Sequence, residues 1–177
     1  MMISKQGISQ QLIWFYINSR IRYEFPTVTH ITSQTLAQWL QHPETFPQII
    51  DTRKPHEFAV SHLMGAQNIT TVAAACAANL NRERAIVTYC SVGYRSARLA
   101  ENLQHLGFKR VLNLEGSIFQ WANEGRLLMC GNQPTTAVHP YNQAWGKLLT
   151  TPQRAQVLAS SRSTIIPQSE PVSTKPN

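Results

Sequence analysis

The sequence predicts an α/β fold: a mostly parallel central sheet with helices on both faces. Two observations carry that prediction. Short apolar stretches alternate with segments of helical periodicity along the chain. Residues 86–99 then read as strand, tight loop and helix in immediate succession. A strand buried on both faces should be uncharged and β-branched or aromatic, as Ile86, Val87, Thr88 and Tyr89 are. Gly93 permits a backbone turn that most residues resist. From Ser96 the period changes, with Leu99, Leu103 and Leu106 at i, i+4 and i+7 and Gly107 where a helix C-terminus wants it.

The other elements follow in order. Residues 8–21 look helical, with Leu12, Phe15 and Tyr16 on one face that is expected to pack on the domain; a membrane surface or a partner is the alternative for such a face. Phe25 and Pro26 end this helix. Residues 28–31 make a short strand, and Ser33 is expected to cap a helix carrying Leu36, Trp39 and Leu40 that stops near Pro43. Residues 48–50 form the next buried strand and close on Asp51; residues 55–60 form a short helix with proline at an early position. Gly65 marks a turn, residues 67–69 a short strand, and the Ala-rich residues 71–80 a helix in which Cys76 is expected as a small core residue. A polar link leads to the central strand. Residues 110–114 form a further strand, and residues 117–123 a helix that carries Ile118 and Trp121 and stops at Gly125.

No internal repeat is visible, so one domain is expected and not a tandem pair. Its expected organisation is a helical extension over residues 1–25, a domain over 26–130, a docked segment over 131–149 and a disordered tail over 150–177. Tyr141, Trp145, Leu148 and Leu149 are too apolar for a free tail, whereas the last stretch is rich in Ser, Thr, Gln and Pro.

Composition narrows the function. A net charge of +7 suits attraction for small anions. No dense Lys/Arg run or basic aromatic platform supports nucleic-acid binding. The apolar run at residues 12–17 is too short to span a bilayer, so no integral membrane segment is expected. Cys76, Cys90 and Cys130 show neither zinc spacing nor an even disulfide framework, which fits a reducing compartment. A cytoplasmic location is the expectation; the basic residues Lys5, Arg20 and Arg22 leave organellar targeting open.

Cys90 carries the chemistry. It stands at the end of a strand and just before a helix N-terminus, where loop N–H groups converge and the helix end is positive. Arg95 adds a full charge. All three favour thiolate over thiol and make Cys90 a candidate nucleophile. A cysteine after an apolar run is more often structural, but Gly93 and Arg95 within five residues argue for reactivity. Asp51 ends one strand and Glu115 follows another, so parallel strands would bring both to the edge that holds Cys90. Asp51, Arg53 and Glu57 either take part in the pocket or form an ion-pair set that braces it; the structural role is favoured.

The run Cys90-Ser91-Val92-Gly93-Tyr94-Arg95-Ser96 closely resembles the active-site loop of the rhodanese (sulfurtransferase) superfamily, Cys-x-x-Gly-x-Arg-Ser. Residues 51–58 and 62–69 resemble an upstream signature of that family, and residues 107–121 a closing one. The family usually has Gly-Gly where Gly116-Ser117 stands, and Ser117 is expected to cap the following helix. The resemblance implies a single rhodanese-like domain and a two-step transfer. Cys90 would take sulfane sulfur from an anionic donor such as thiosulfate and pass it, as a persulfide, to cyanide, a small thiol or a protein thiol. Ser91, Val92, Gly93, Tyr94 and Ser96 would form the substrate-binding loop, with Asp51 and Arg53 in support. Arg95 would either orient the donor or hold the loop. No metal or organic cofactor is implied, and the expected assembly is a monomer or homodimer.

Two rivals remain at this level. One is a phosphatase or arsenate reductase of the same fold; related cell-cycle phosphatases use Cys-x5-Arg, one residue longer than the loop here, which favours a sulfur atom over a tetrahedral phosphate. A non-catalytic binding module is the other, weakened by the presence of Cys90. A disulfide between Cys130 and an oxidised Cys90 is a minor third possibility.

Overall fold

A computed structural model describes residues 5–149. The expected disorder of residues 150–177 lies outside the described residues. The chain runs α1 (Lys5–Glu24), β1 (Thr29–Ile31), α2 (Ser33–Trp39), β2 (Gln48–Asp51), α3 (Pro55–Val60), β3 (Ala66–Asn68), α4 (Val72–Ala77), β4 (Ile86–Tyr89), α5 (Tyr94–His105), β5 (Val111–Leu114), α6 (Ser117–Asn123), β6 (Leu128–Cys130) and β7 (Gln133–Thr135). Strands β1 to β5 form one parallel sheet in the order β1-β5-β4-β2-β3. β6 and β7 pair antiparallel as a separate hairpin.

The strands are short because each must only cross the core, and they alternate because both faces are covered. Val87 and Tyr89 of β4 join Leu36, Leu114, Ile118 and Phe119 in the core under α2 and α6. Ile86, one residue out of phase, joins Leu99, Leu103 and Ala75 under α5 and α4. All four residues of β4 are buried, which is why the sequence shows no polar phase there.

The pairing Asp51↔Tyr89 and Thr88↔Asn113 aligns the C-terminal ends of β2, β4 and β5. Asp51, Cys90 and Glu115 therefore follow or end neighbouring parallel strands on one edge of the sheet, as the sequence predicts for this topology.

Three local expectations are revised. Helix α1 buries Ile21 and packs Trp14 and Ile17 on the core, while Leu12, Phe15 and Tyr16 face outward, with exposures of 64%, 73% and 68%. Thr32, not Ser33, caps α2: its Oγ1 accepts from the Thr35 N–H at 3.1 Å. Ser33 is buried in the first turn and faces the Glu124 carboxylate. Cys76 is exposed, because α4 turns Ala75 and Val72 toward the core instead. Beyond α6, Leu148 and Leu149 are buried in the same core as Phe119 and Val138.

Candidate active site

Cys90 follows β4 directly and is 1% exposed. Both backbone polar groups of Cys90 are held by the start of α6. The Cys90 N–H donates to Ser117 Oγ at 3.1 Å, and the Cys90 carbonyl accepts from the Ile118 N–H at 3.2 Å. Ser117 Oγ in turn donates to the Leu114 carbonyl. Gly116, not Ser117, is the cap of α6; Ser117 is its first residue, held at φ +48°. The side chain that was expected to cap a helix instead anchors the cysteine.

The loop turns at Gly93, whose φ of +115° lies in the region that favours glycine. That turn brings the Gly93 N–H to 3.2 Å from Cys90 Sγ as a donor. A second clamp comes from β5. Asn113 Nδ2 donates to the Gly93 carbonyl at 3.0 Å, and Asn113 Oδ1 lies 2.6 Å from the Ser96 hydroxyl. Thr88 Oγ1 donates to the Ser96 carbonyl at 3.1 Å, tying β4 to α5. Neither Asn113 nor Thr88 stands out in the sequence, because each is one polar residue inside an apolar strand.

Burial works against ionising Cys90. The Arg95 charge, the Ser96 N–H and hydroxyl, and the Gly93 N–H outweigh it and hold the thiol below its ordinary value. Arg95 is itself fixed. Its Nη1 lies 2.9 Å from Glu57 Oε2, its Nη2 3.0 Å from Glu57 Oε1, and Nη2 also donates to Ser91 Oγ at 3.0 Å. Burial disfavours the guanidinium, yet the Glu57 carboxylate and the Cys90 sulfur raise its pKa overall. Glu57 is 1% exposed and also accepts from the Lys54 N–H at 3.0 Å. Arg95 thus holds the loop to α3, with its planar group stacked 4.9 Å from the Tyr141 ring.

Asp51 and Arg53 pair with each other. Both are 0% exposed, and Arg53 Nη2 lies 2.7 Å from Asp51 Oδ2. Arg53 also donates from Nη2 to the Ser61 carbonyl. Neither lines the pocket over Cys90. Their pairing joins the end of β2 to the Ser61 carbonyl.

The pocket over Cys90 has a volume of about 260 Å³. Cys90, Ser91, Val92, Tyr94 and Arg95 line it from the loop side; Tyr16, Ile17, Arg20 and Ile21 of α1 and Tyr141 and Trp145 line it from the other. The contributions from α1 and from residues 141–145 have no motif in the sequence. Cys130 is exposed, lies 3.3 Å from the Ala59 carbonyl and does not line the pocket. Among the described residues no cluster of His, Cys, Asp or Glu is placed to hold a metal ion, and no helix is long and apolar enough to cross a membrane.

This fold and loop define a domain class with a known sequence pattern, and the comparisons agree. The pattern of the rhodanese-like domain family matches residues 32–124, and the chain belongs to that family. A sulfurtransferase of Allochromatium vinosum is 32% identical over 99 residues, covering 55% of this chain and 92% of that protein. An uncharacterized Bacillus subtilis protein is 32% identical over 78 residues, and a tRNA uridine(34) hydroxylase of Photorhabdus laumondii is 27% identical over 107. These matches cover 44% and 56% of this chain, and 62% and 30% of the relatives' own lengths. A crystal structure of a Bacillus halodurans protein superposes with a TM-score of 0.58 at 21% identity, covering 74% of this chain and 97% of that one, which shows the shared fold. The sulfurtransferase-named relative supports a transferase-like enzyme at the level of the family.

Proposed function

We propose that this domain is a sulfurtransferase that carries sulfane sulfur on Cys90. The observation that supports it is the setting of one sulfur atom: Cys90 Sγ at the base of an open pocket, facing the Gly93 N–H and held below its ordinary pKa. Such a thiolate attacks the outer sulfur of thiosulfate. The S–S bond of the donor breaks, sulfite leaves with its electron pair, and Cys90 becomes a persulfide. The terminal sulfur then takes the place near the loop N–H groups, where backbone donors stabilise its charge. An acceptor nucleophile, cyanide or a thiolate, attacks that terminal sulfur. The persulfide bond breaks and the Cys90 thiolate is restored.

Arg95 acts here through the loop. Its fork is engaged by Glu57 and Ser91, so it supplies charge near Cys90 and fixes geometry. A reduced thiol of this kind belongs in a reducing compartment such as the cytoplasm.

The test is intact-mass measurement of the reduced protein after thiosulfate, with Cys90→Ser alongside. The expected result is a gain of one sulfur atom that cyanide removes and that the variant lacks. A folded protein that gains no sulfur overturns the reading and points to a binding module.

A further inference from the structure

The pocket over Cys90 is built from more than the family domain. Six of its eleven lining residues, from α1 and residues 141–145, lie outside the matched span of residues 32–124. The added walls are mainly apolar and aromatic: Tyr16, Ile17 and Ile21 from α1, Tyr141 and Trp145 from the later segment. Tyr16 and Trp145 are 68% and 37% exposed, so they form the rim and not the core.

The charges in this pocket are already matched. Arg95 is bound by both oxygens of Glu57 and covered by the Tyr141 ring. Arg20, the other lining cation, faces the Glu24 carboxylate at 3.4 Å. A small anionic acceptor would have to compete with two carboxylates for these guanidinium groups. The volume also exceeds what such an anion fills: 260 Å³ is about nine times the share of one liquid water, ~30 Å³. Pockets that take small organic molecules have this character, apolar and aromatic walls with few polar groups.

We propose that the sulfur acceptor of this protein is an organic thiol with an apolar, ring-sized body, selected by Tyr16, Ile17, Tyr141 and Trp145. This deepens the sulfurtransferase reading and rests on it. The body lies between α1 and the Trp145 segment while its thiolate reaches Cys90. The entering thiol gives its proton to the charged outer sulfur of the Cys90 persulfide, and the resulting thiolate attacks that sulfur. The persulfide S–S bond breaks, the acceptor leaves as an organic hydropersulfide, and Cys90 keeps the electron pair as thiolate. Glutathione, large and charged, gains little from these walls, and cyanide gains nothing.

Two measurements test this on the full chain. In the first, the thiosulfate-loaded protein is discharged with 2-phenylethanethiol, glutathione or cyanide, and rates are compared per thiolate. The phenylethyl thiol is expected to exceed glutathione at least tenfold. Trp145→Ala is expected to lower the ratio of phenylethyl-thiol to cyanide rates at least fivefold. Equal rates for the two thiols, or an unchanged ratio in the variant, overturn the proposal. The second measurement needs no persulfide: 2-phenylethyl methyl sulfide, which cannot react, is expected to protect Cys90 from iodoacetamide, and less so in Trp145→Ala. Protection without sulfur loading would sink the sulfurtransferase reading and leave the pocket's ligand class standing. The absence of protection overturns the pocket assignment whether or not sulfur loads.

Discussion

Arg95 and Glu57, 38 residues apart in the chain, meet in a two-pronged ion pair at 2.9 and 3.0 Å. The pair joins the loop after β4 to helix α3, and Ser91 Oγ completes it from within the loop. One buried carboxylate thus decides where the positive charge beside Cys90 sits.

Replacing that carboxylate should therefore loosen the loop. Glu57→Gln keeps the shape but removes the charge and replaces one of the two accepting oxygens with an NH2 group that cannot accept from Arg95 or the Lys54 N–H. A loss of about 2 kcal/mol in unfolding free energy is expected, the scale of hydrogen bonds to charged groups. A urea unfolding curve measures it, and an unchanged midpoint would count against the ion pair as a brace. The same pair sets an acid limit. Burial disfavours the Glu57 carboxylate, but Arg95 and the Lys54 N–H outweigh it and hold its pKa below 4.5. Its contribution is present above the unfolded value and lost as pH falls through the lower folded one.

The reactivity of Cys90 should follow the Arg95 charge. Alkylation by iodoacetamide reports thiolate, so its pH profile in the native protein is expected to bend below the ordinary thiol value of 9.0. In Arg95→Gln the bend should move upward. Site-resolved mass spectrometry separates Cys90 from the exposed Cys76 and Cys130. An identical bend in both proteins would remove Arg95 as the source of the shift.

Gly93 tests the loop's backbone. An added Cβ would meet Ile21 Cδ1 at 3.2 Å, and φ +115° is strained for any side chain. Gly93→Ala is expected to cost about 2 kcal/mol. It should also slow Cys90 alkylation at neutral pH, because the Gly93 N–H would leave the sulfur. Normal alkylation in a folded variant would show that this donor does not stabilise the thiolate.

His30 predicts a second pH effect, on stability alone. It lies on β1; burial, helped by the nearby Arg22 charge, pushes it down to about 4 from 6.5. The folded protein holds this histidine neutral while the unfolded chain protonates near 6.5. Its contribution is thus complete above pH 6.5 and falls away between 6.5 and 4. His30→Phe, which keeps a ring and cannot titrate, should flatten the melting temperature over that window. A parallel decline in both proteins would assign the effect elsewhere.

Much of the fold is legible in the residues. β4 reads as a strand because both its faces are buried, and α5 reads as a helix because Leu99 and Leu103 repeat on one face. The turn at Gly93 follows from a glycine in the loop, since that φ excludes most side chains. Helix α1 is different. It carries apolar residues all round, so the spacing that suggests Leu12, Phe15 and Tyr16 fits other faces equally, and Trp14, Ile17 and Ile21 are buried because the folded domain presents its core to them.

The same division runs through the site. The Cys90–Ser96 loop is a local object, whose turn and helix start depend on neighbours a few bonds away, and its seven residues already display it. Its supports are not local. Glu57 on Arg95, Asn113 on Gly93 and Ser117 on Cys90 join segments that are 38, 20 and 27 residues apart. No periodicity encodes such pairs, because they exist only once the parallel register has brought the strand ends together. The pocket's outer wall depends on packing further still, since Tyr16 and Trp145 approach Cys90 from opposite ends of the chain.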